Sequence, residues 1–164
     1  MYKWEINSKY SFGTKNFARI YRFFVIETPL KQVSQRGISF EERNIDTNEL
    51  RNMIKNIAPS LKKNWKVEIQ KKIKDMLEEY NILNEVAIPF EVAIHTKKTN
   101  YVKAEALFYS IRCALAHGGF NIYLYKKEKY YFLENREGKD LKGRIILKEK
   151  TLLKIIDYCE NKIS

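Results

Sequence analysis

The sequence predicts a mostly α-helical domain, an up-and-down helical bundle that carries a small β-hairpin or β-meander before its last helix. Three observations carry this. Apolar residues recur at spacings of three and four through most of the first two thirds of the chain. Six Gly and three Pro in 164 residues leave room for long regular elements. After Gly118-Gly119 the apolar period changes to two, and it returns to the helical value from Thr151. The length fits one domain, residues 1–164.

Residues 1–11 are mixed in character and read as a loose arm. Thr14 is an N-cap for a helix whose apolar face is Phe17, Ile20, Tyr21, Phe24 and Val25, and which ends before Pro29. Arg19 and Arg22 lie on its other faces, as solvated side chains or as phosphate contacts. Residues 30–45 are polar, contain Gly37 and show no period, so they read as a long loop. Asp46 with Glu49 has the form of a capping box, and Leu50, Met53, Ile54 and Ile57 give a short helix that stops before Pro59.

Ser60 caps the longest predicted helix, with Leu61, Trp65, Ile69, Ile73, Met76, Tyr80 and Leu83 on its apolar face. Its other faces carry Lys62, Lys63, Lys66, Lys71, Lys72 and Lys74, the densest basic patch in the chain. Such a patch is either a solvated face or a track for phosphates, where Lys gives salt-dependent, sequence-blind affinity. Trp65 reads as core. The helical period fails over residues 84–99, where His95 reads as a surface side chain.

A fourth helix stripe follows at Tyr101, Ala104, Phe108, Ile111 and Leu115. Beyond Gly118-Gly119, Phe120, Ile122 and Leu124 alternate with polar and aromatic residues, residues 126–129 turn, and Tyr130-Tyr131-Phe132-Leu133 returns as a second strand. Residues 136–139 make another turn, and Arg144-Ile145-Ile146-Leu147 adds a third strand. The chain closes on a helix from Thr151 to Lys162 with Leu152, Ile155, Ile156 and Cys159 facing in.

Thirty-one Lys and Arg against 20 acids give a formal net charge of +11. That balance points to a polyanionic partner, nucleic acid first and a membrane surface second. Lysine-rich composition also arises in AT-rich genomes, so charge alone does not name the partner. Two Cys without CxxC spacing and two His make no zinc set, so no metal and no cofactor are expected. The amino-terminal residues do not have the pattern of a signal peptide, and no apolar segment reaches the length of a membrane span. A reduced, cytoplasmic protein is expected.

Chemistry concentrates at Arg112-Cys113-Ala114-Leu115-Ala116-His117-Gly118-Gly119. Arg offers a fixed charge and a planar fork to phosphate oxygens, and His exchanges a proton near neutrality. Glu105, Tyr109 and Arg112 form a polar stripe beside the apolar one. Five residues on an ideal helix rotate by about 140°, so Arg112 and His117 converge only if the helix unwinds or a second copy contributes. The plainer alternative is a C-capping His and a salt-bridged Arg, with Glu105 as its partner.

The string Ile111 to Gly118 resembles the Arg-x4-to-6-His motif of the HEPN superfamily, small helical-bundle domains that include metal-independent RNA endonucleases. The likeness extends through Lys129-Tyr130-Tyr131-Phe132-Leu133-Glu134-Asn135 and Gly143-Arg144-Ile145-Ile146-Leu147-Lys148, covering about residues 100–160. It implies an HEPN-like bundle in which Arg112 and His117 are the catalytic pair, with Cys113 at the position that orients them; Glu105 and Tyr109, from the polar stripe, are expected to orient the site as well. Active members commonly have Asn, Asp or His after the Arg, where this chain has Cys113.

The function expected from this resemblance is metal-independent RNA endonucleolytic cleavage of toxin or phage-defence type. His117 would take the 2′-hydroxyl proton and Arg112 would stabilise the charged phosphorane, leaving 2′,3′-cyclic phosphate and 5′-hydroxyl ends. The leaving oxygen needs a second acid, and His117 of a second protomer is the expected source, hence a homodimer with a composite site. RNA and an antitoxin are the expected partners. The alternative is a non-catalytic RNA- or nucleotide-binding module.

Overall fold

The computed structural model describes residues 14–30, 38–84, 90–97 and 100–161, and the backbone alone at residues 5–6. The arm expected at residues 1–11 and the centre of the expected 30–45 loop fall outside these residues. The architecture is α/β, built on a mixed sheet, and corrects the expected helical bundle.

The chain order is β1 (Glu5–Ile6), α1 (Lys15–Tyr21) continuing as a π-helical turn (Arg22–Ile26), α2 (Thr47–Ile57), α3 (Leu61–Asn64) and β2 (Trp65–Glu68). It continues through α4 (Gln70–Glu79), β3 (Val92–Thr96), α5 (Lys103–Ala116), β4 (Phe120–Tyr125), β5 (Glu128–Glu137), β6 (Asp140–Lys148) and α6 (Glu149–Asn161). The six strands lie in the order β1-β4-β5-β6-β3-β2. All neighbours are antiparallel except β2 and β3, which run parallel. A parallel pair needs a crossover, and α4 supplies it.

The expected hairpin and third strand are therefore present, but as one half of a larger sheet. The other half comes from segments read as helix or as unpatterned. The expected long helix breaks after Asn64. Trp65 is buried and Val67 half-buried on one face of β2, and Ile69, assigned to the helical stripe, is exposed. Pairing of Trp65 to Glu68 with Ala93 to Thr96 wins over helix propensity, because it satisfies a row of backbone groups on β3 that would otherwise face no partner. Val92-Ala93-Ile94-His95 is buried on both faces, so no alternation marks it in the sequence.

The two faces of the sheet carry two cores. On one, α5 lies across Ala93, Leu133, Ile145 and Leu147, with α1, α2 and α6 beside it. On the other, Ile73 and Leu77 of α4 pack on Val92, Ile94, Tyr130 and Ile146. The stripes expected for the motif helix and for the last helix hold. Tyr101, Ala104, Phe108, Ile111 and Leu115 are all buried, as are Leu152, Ile155, Ile156 and Cys159. Helix α5 also buries Ala106, Leu107 and Ala114, so it is central rather than amphipathic.

Two of the three expected side-chain caps form. Thr14 Oγ1 accepts from the Phe17 amide at 3.2 Å, and Asp46 Oδ1 accepts from the amides of Asn48 and Glu49 at 2.8 and 2.9 Å. Ser60 does not cap; its hydroxyl donates to the Glu91 carbonyl at 2.8 Å and ties α3 to the start of β3.

Candidate functional site

The motif helix ends in a Schellman turn. Gly119 N–H donates to the Ala114 carbonyl at 2.8 Å, and Gly118 takes a positive φ of 71°. Gly119 is then held against β5: its carbonyl accepts from Glu134 N–H at 2.7 Å, and a Cβ on it would stand 2.3 Å from the Glu134 carbonyl oxygen. This junction brings the exposed His117 beside the end of β5.

A cavity of about 500 Å³ opens there. Tyr109, Cys113 and His117, spaced four residues apart, form one wall. Asn135, Arg136, Glu137 and Lys142 come from the β5–β6 hairpin, Thr96 and Lys97 from the end of β3, and Ile69 and Gln70 from the start of α4. The pairing of β5 with β6 slips between Asn135 and Arg136. With that bulge three successive residues, Asn135, Arg136 and Glu137, line the same cavity, where a regular strand alternates faces.

The cavity is cationic on balance, with Lys97, Arg136 and Lys142 against Glu137. Lys142 Nζ lies 3.3 Å from Glu137, and Arg136 pairs with Glu134. Gln70 Nε2 donates to the Leu141 carbonyl at 2.6 Å, while its Oε1 is buried with no hydrogen-bond partner. The same hairpin is anchored from behind. Arg144, 7% exposed, pairs with Glu134 and donates to the carbonyls of Ile82 and Leu83.

The predicted residues divide. His117, Tyr109 and Cys113 share the cavity. Arg112 does not line it; Arg112 is half-buried, and its Nε is buried without a hydrogen-bond partner. Glu105 sits in the first turn of α5, where its carboxylate accepts from Val102 N–H at 3.2 Å, and it borders a different hollow beside Phe40 and Tyr101. It is a helix cap remote from His117.

The six lysines of the expected basic helix are all exposed but belong to three elements. Lys62 and Lys63 lie on α3, Lys66 on β2, and Lys71, Lys72 and Lys74 on α4. Lys72 lies 3.9 Å from Glu68. Arg19, expected to be solvated or to contact phosphate, is instead paired with Asp157 and Glu160, both at 2.7 Å.

Sequence reasoning missed the cavity residues outside α5. Lys97, Asn135, Arg136 and Lys142 meet His117 only through the sheet, and the charged run around Gly138 was their one local signal. It also misread His95, which is fully buried. Trp65 Nε1 donates to His95 Nε2 at 3.0 Å, so in the neutral ring Nδ1 carries the proton and donates to the Thr96 carbonyl at 3.1 Å. Burial holds its pKa down to about 4, which keeps the ring neutral and structural.

Among the described residues no group of three or more His, Cys, Asp or Glu is placed to hold a metal ion, and no helix is long and apolar enough to cross a membrane. No protein-family model matches the chain, and no curated protein or solved structure matches it significantly.

Proposed function

We propose that the chain binds RNA at the His117 cavity and cleaves it by 2′-hydroxyl attack, with His117 as general base. The observation that carries this reading is the cavity itself. An exposed imidazole on the motif helix shares one concave surface with Lys97, Arg136 and Lys142. Those cations suit the phosphate, and the imidazole suits the proton transfer. The motif resemblance supports the same chemistry through His117, without the bundle it implied.

Departure of the 5′-oxygen needs an acid. The proposal assigns it to His117 of a second copy of the chain, with Arg112 as the guanidinium left over for that shared site. A toxin or phage-defence setting, with an antitoxin as neutralising partner, belongs to the same proposal through the resemblance alone.

A second reading, a non-catalytic RNA- or nucleotide-binding module, is favoured by one observation: Arg112 and His117 do not line the same cavity within one chain. Incubation with RNA in EDTA separates the two. The nuclease reading expects products ending in 2′,3′-cyclic phosphate, and none from an all-2′-deoxy strand of the same sequence. Retention of RNA at low salt with no cleavage of either strand supports the binding module.

A further inference from the structure

At the other end of α5 from His117, four cations gather where α2, β2 and α5 meet. Lys103 opens α5, and its Nζ donates to the Trp65 carbonyl at 3.0 Å and stands 5.1 Å from the centre of the Trp65 ring. Arg51 and Lys55, one helical turn apart on α2, and Lys66, next to Trp65 on β2, surround it. Around β5 and β6 cations are neutralised: Lys148 and Lys150 share Glu128, and Arg144 holds Glu134. Here no carboxylate among the described residues pairs with any of the four. Arg51 Nε is buried and has no hydrogen-bond partner.

Like charges gathered on neighbouring elements oppose folding, and at Lys103 they add to the effect of burial. Its pKa falls to about 8 through burial first, then through Lys55, Arg51 and Lys66. An anion carrying two or more negative charges relieves that repulsion through charge-assisted hydrogen bonds.

We propose that Arg51, Lys55, Lys66 and Lys103 form a phosphate-binding subsite that engages the backbone of single-stranded RNA. It rests on the RNA reading above and extends it. The 14 residues of α5 separate this subsite from the His117 cavity by about 20 Å, so one strand of several nucleotides reaches both. Nothing at this subsite reads a base; it sets affinity and register.

The test is the salt dependence of binding to a labelled single-stranded RNA of about 20 nucleotides, for wild type and for Lys55→Gln/Lys66→Gln. Neither substituted side chain is buried, so the variant is expected to fold, with a melting temperature in RNA-free, phosphate-free buffer equal to or above that of wild type. The proposal expects weaker binding and a slope of log K against log salt that is shallower by about 1.4, roughly 0.7 per lost phosphate contact. Cleavage of a dinucleotide, too short to span the two sites, stays at the wild-type rate. RNA binding by wild type with an unchanged slope and affinity in the variant overturns the subsite and leaves the RNA reading standing. If wild type binds no RNA, thermal stabilisation by inorganic phosphate decides. Stabilisation lost in the variant keeps the subsite while the RNA reading falls, and no stabilisation of wild type overturns both.

Discussion

Trp65 Nε1 donates a 3.0 Å hydrogen bond to His95 Nε2 inside the core, joining the two parallel strands of the sheet. The bond requires a neutral ring, and burial provides one by holding the folded pKa at about 4 against an ordinary 6.5. Below about pH 6.5 the unfolded chain takes up a proton that the folded chain refuses. The stability tied to the neutral ring is therefore complete above that pH and is lost as pH falls toward 4. At about 1.4 kcal/mol per pH unit the loss approaches 3 kcal/mol. Urea unfolding at about pH 7 and about pH 4.5 measures it. His95→Gln, which keeps an acceptor for the indole, is expected to remove most of the pH dependence that separates the two conditions.

Gly119 and Gly118 are predicted to differ sharply. A Cβ at Gly119 meets the Glu134 carbonyl, whereas one at Gly118 meets nothing within 4 Å and is opposed only by a φ of 71°. Gly118→Ala should cost about 1 kcal/mol. Gly119→Ala should cost more, about 2–3 kcal/mol, because backbone must move. Thermal unfolding of the two variants checks the order, and only Gly119→Ala should also disturb the cavity beside His117.

The β4–β5 turn is Lys126-Lys127, with φ of 46° and 66° at the two residues. A two-residue hairpin with positive φ at both positions favours Asn-Gly. Lys126→Asn/Lys127→Gly is expected to raise stability by about 1 kcal/mol, read as a higher urea midpoint at unchanged m.

Arg144 holds Glu134 and two carbonyls of the segment before β3 from one nearly buried position. Arg144→Met should cost about 2–3 kcal/mol, since it leaves two carbonyls without a donor and Glu134 with Arg136 as its remaining partner. Arg144→Lys should recover little of this, because an ammonium lacks the planar fork that meets all three groups. Guanidinium unfolding curves of both variants test it.

How much of this was legible in the sequence follows from burial. Helices with one wet face declared themselves: α2 through Asp46, Leu50 and Ile54, and α6 through Leu152, Ile155, Ile156 and Cys159. The meander was legible from the alternation of Phe120, Ile122 and Leu124 and from the largely apolar runs 130–133 and 144–147 that follow it between turns. Strands β2 and β3 were not. Val92 to His95 is covered on both faces and carries no period, and Trp65 and Val67 keep a spacing that, within a longer helical stripe, reads equally as helix. The candidate site was half legible. Tyr109, Cys113 and His117 lie in one local run, while Lys97, Asn135, Arg136 and Lys142 reach it through sheet pairings that no local spacing records. The rotation between Arg112 and His117 did foretell that the two would not line one cavity.

The central claim is that His117 is the general base of an RNA-cleaving cavity. The direct measurement is single-turnover cleavage of a labelled RNA in EDTA by wild type and by His117→Ala, with equal folding shown by their melting temperatures. The account predicts a fall of about 10²–10⁴-fold in the cleavage rate at near-constant RNA affinity. Cleavage by His117→Ala at the wild-type rate, or none by either protein across varied RNAs, contradicts it.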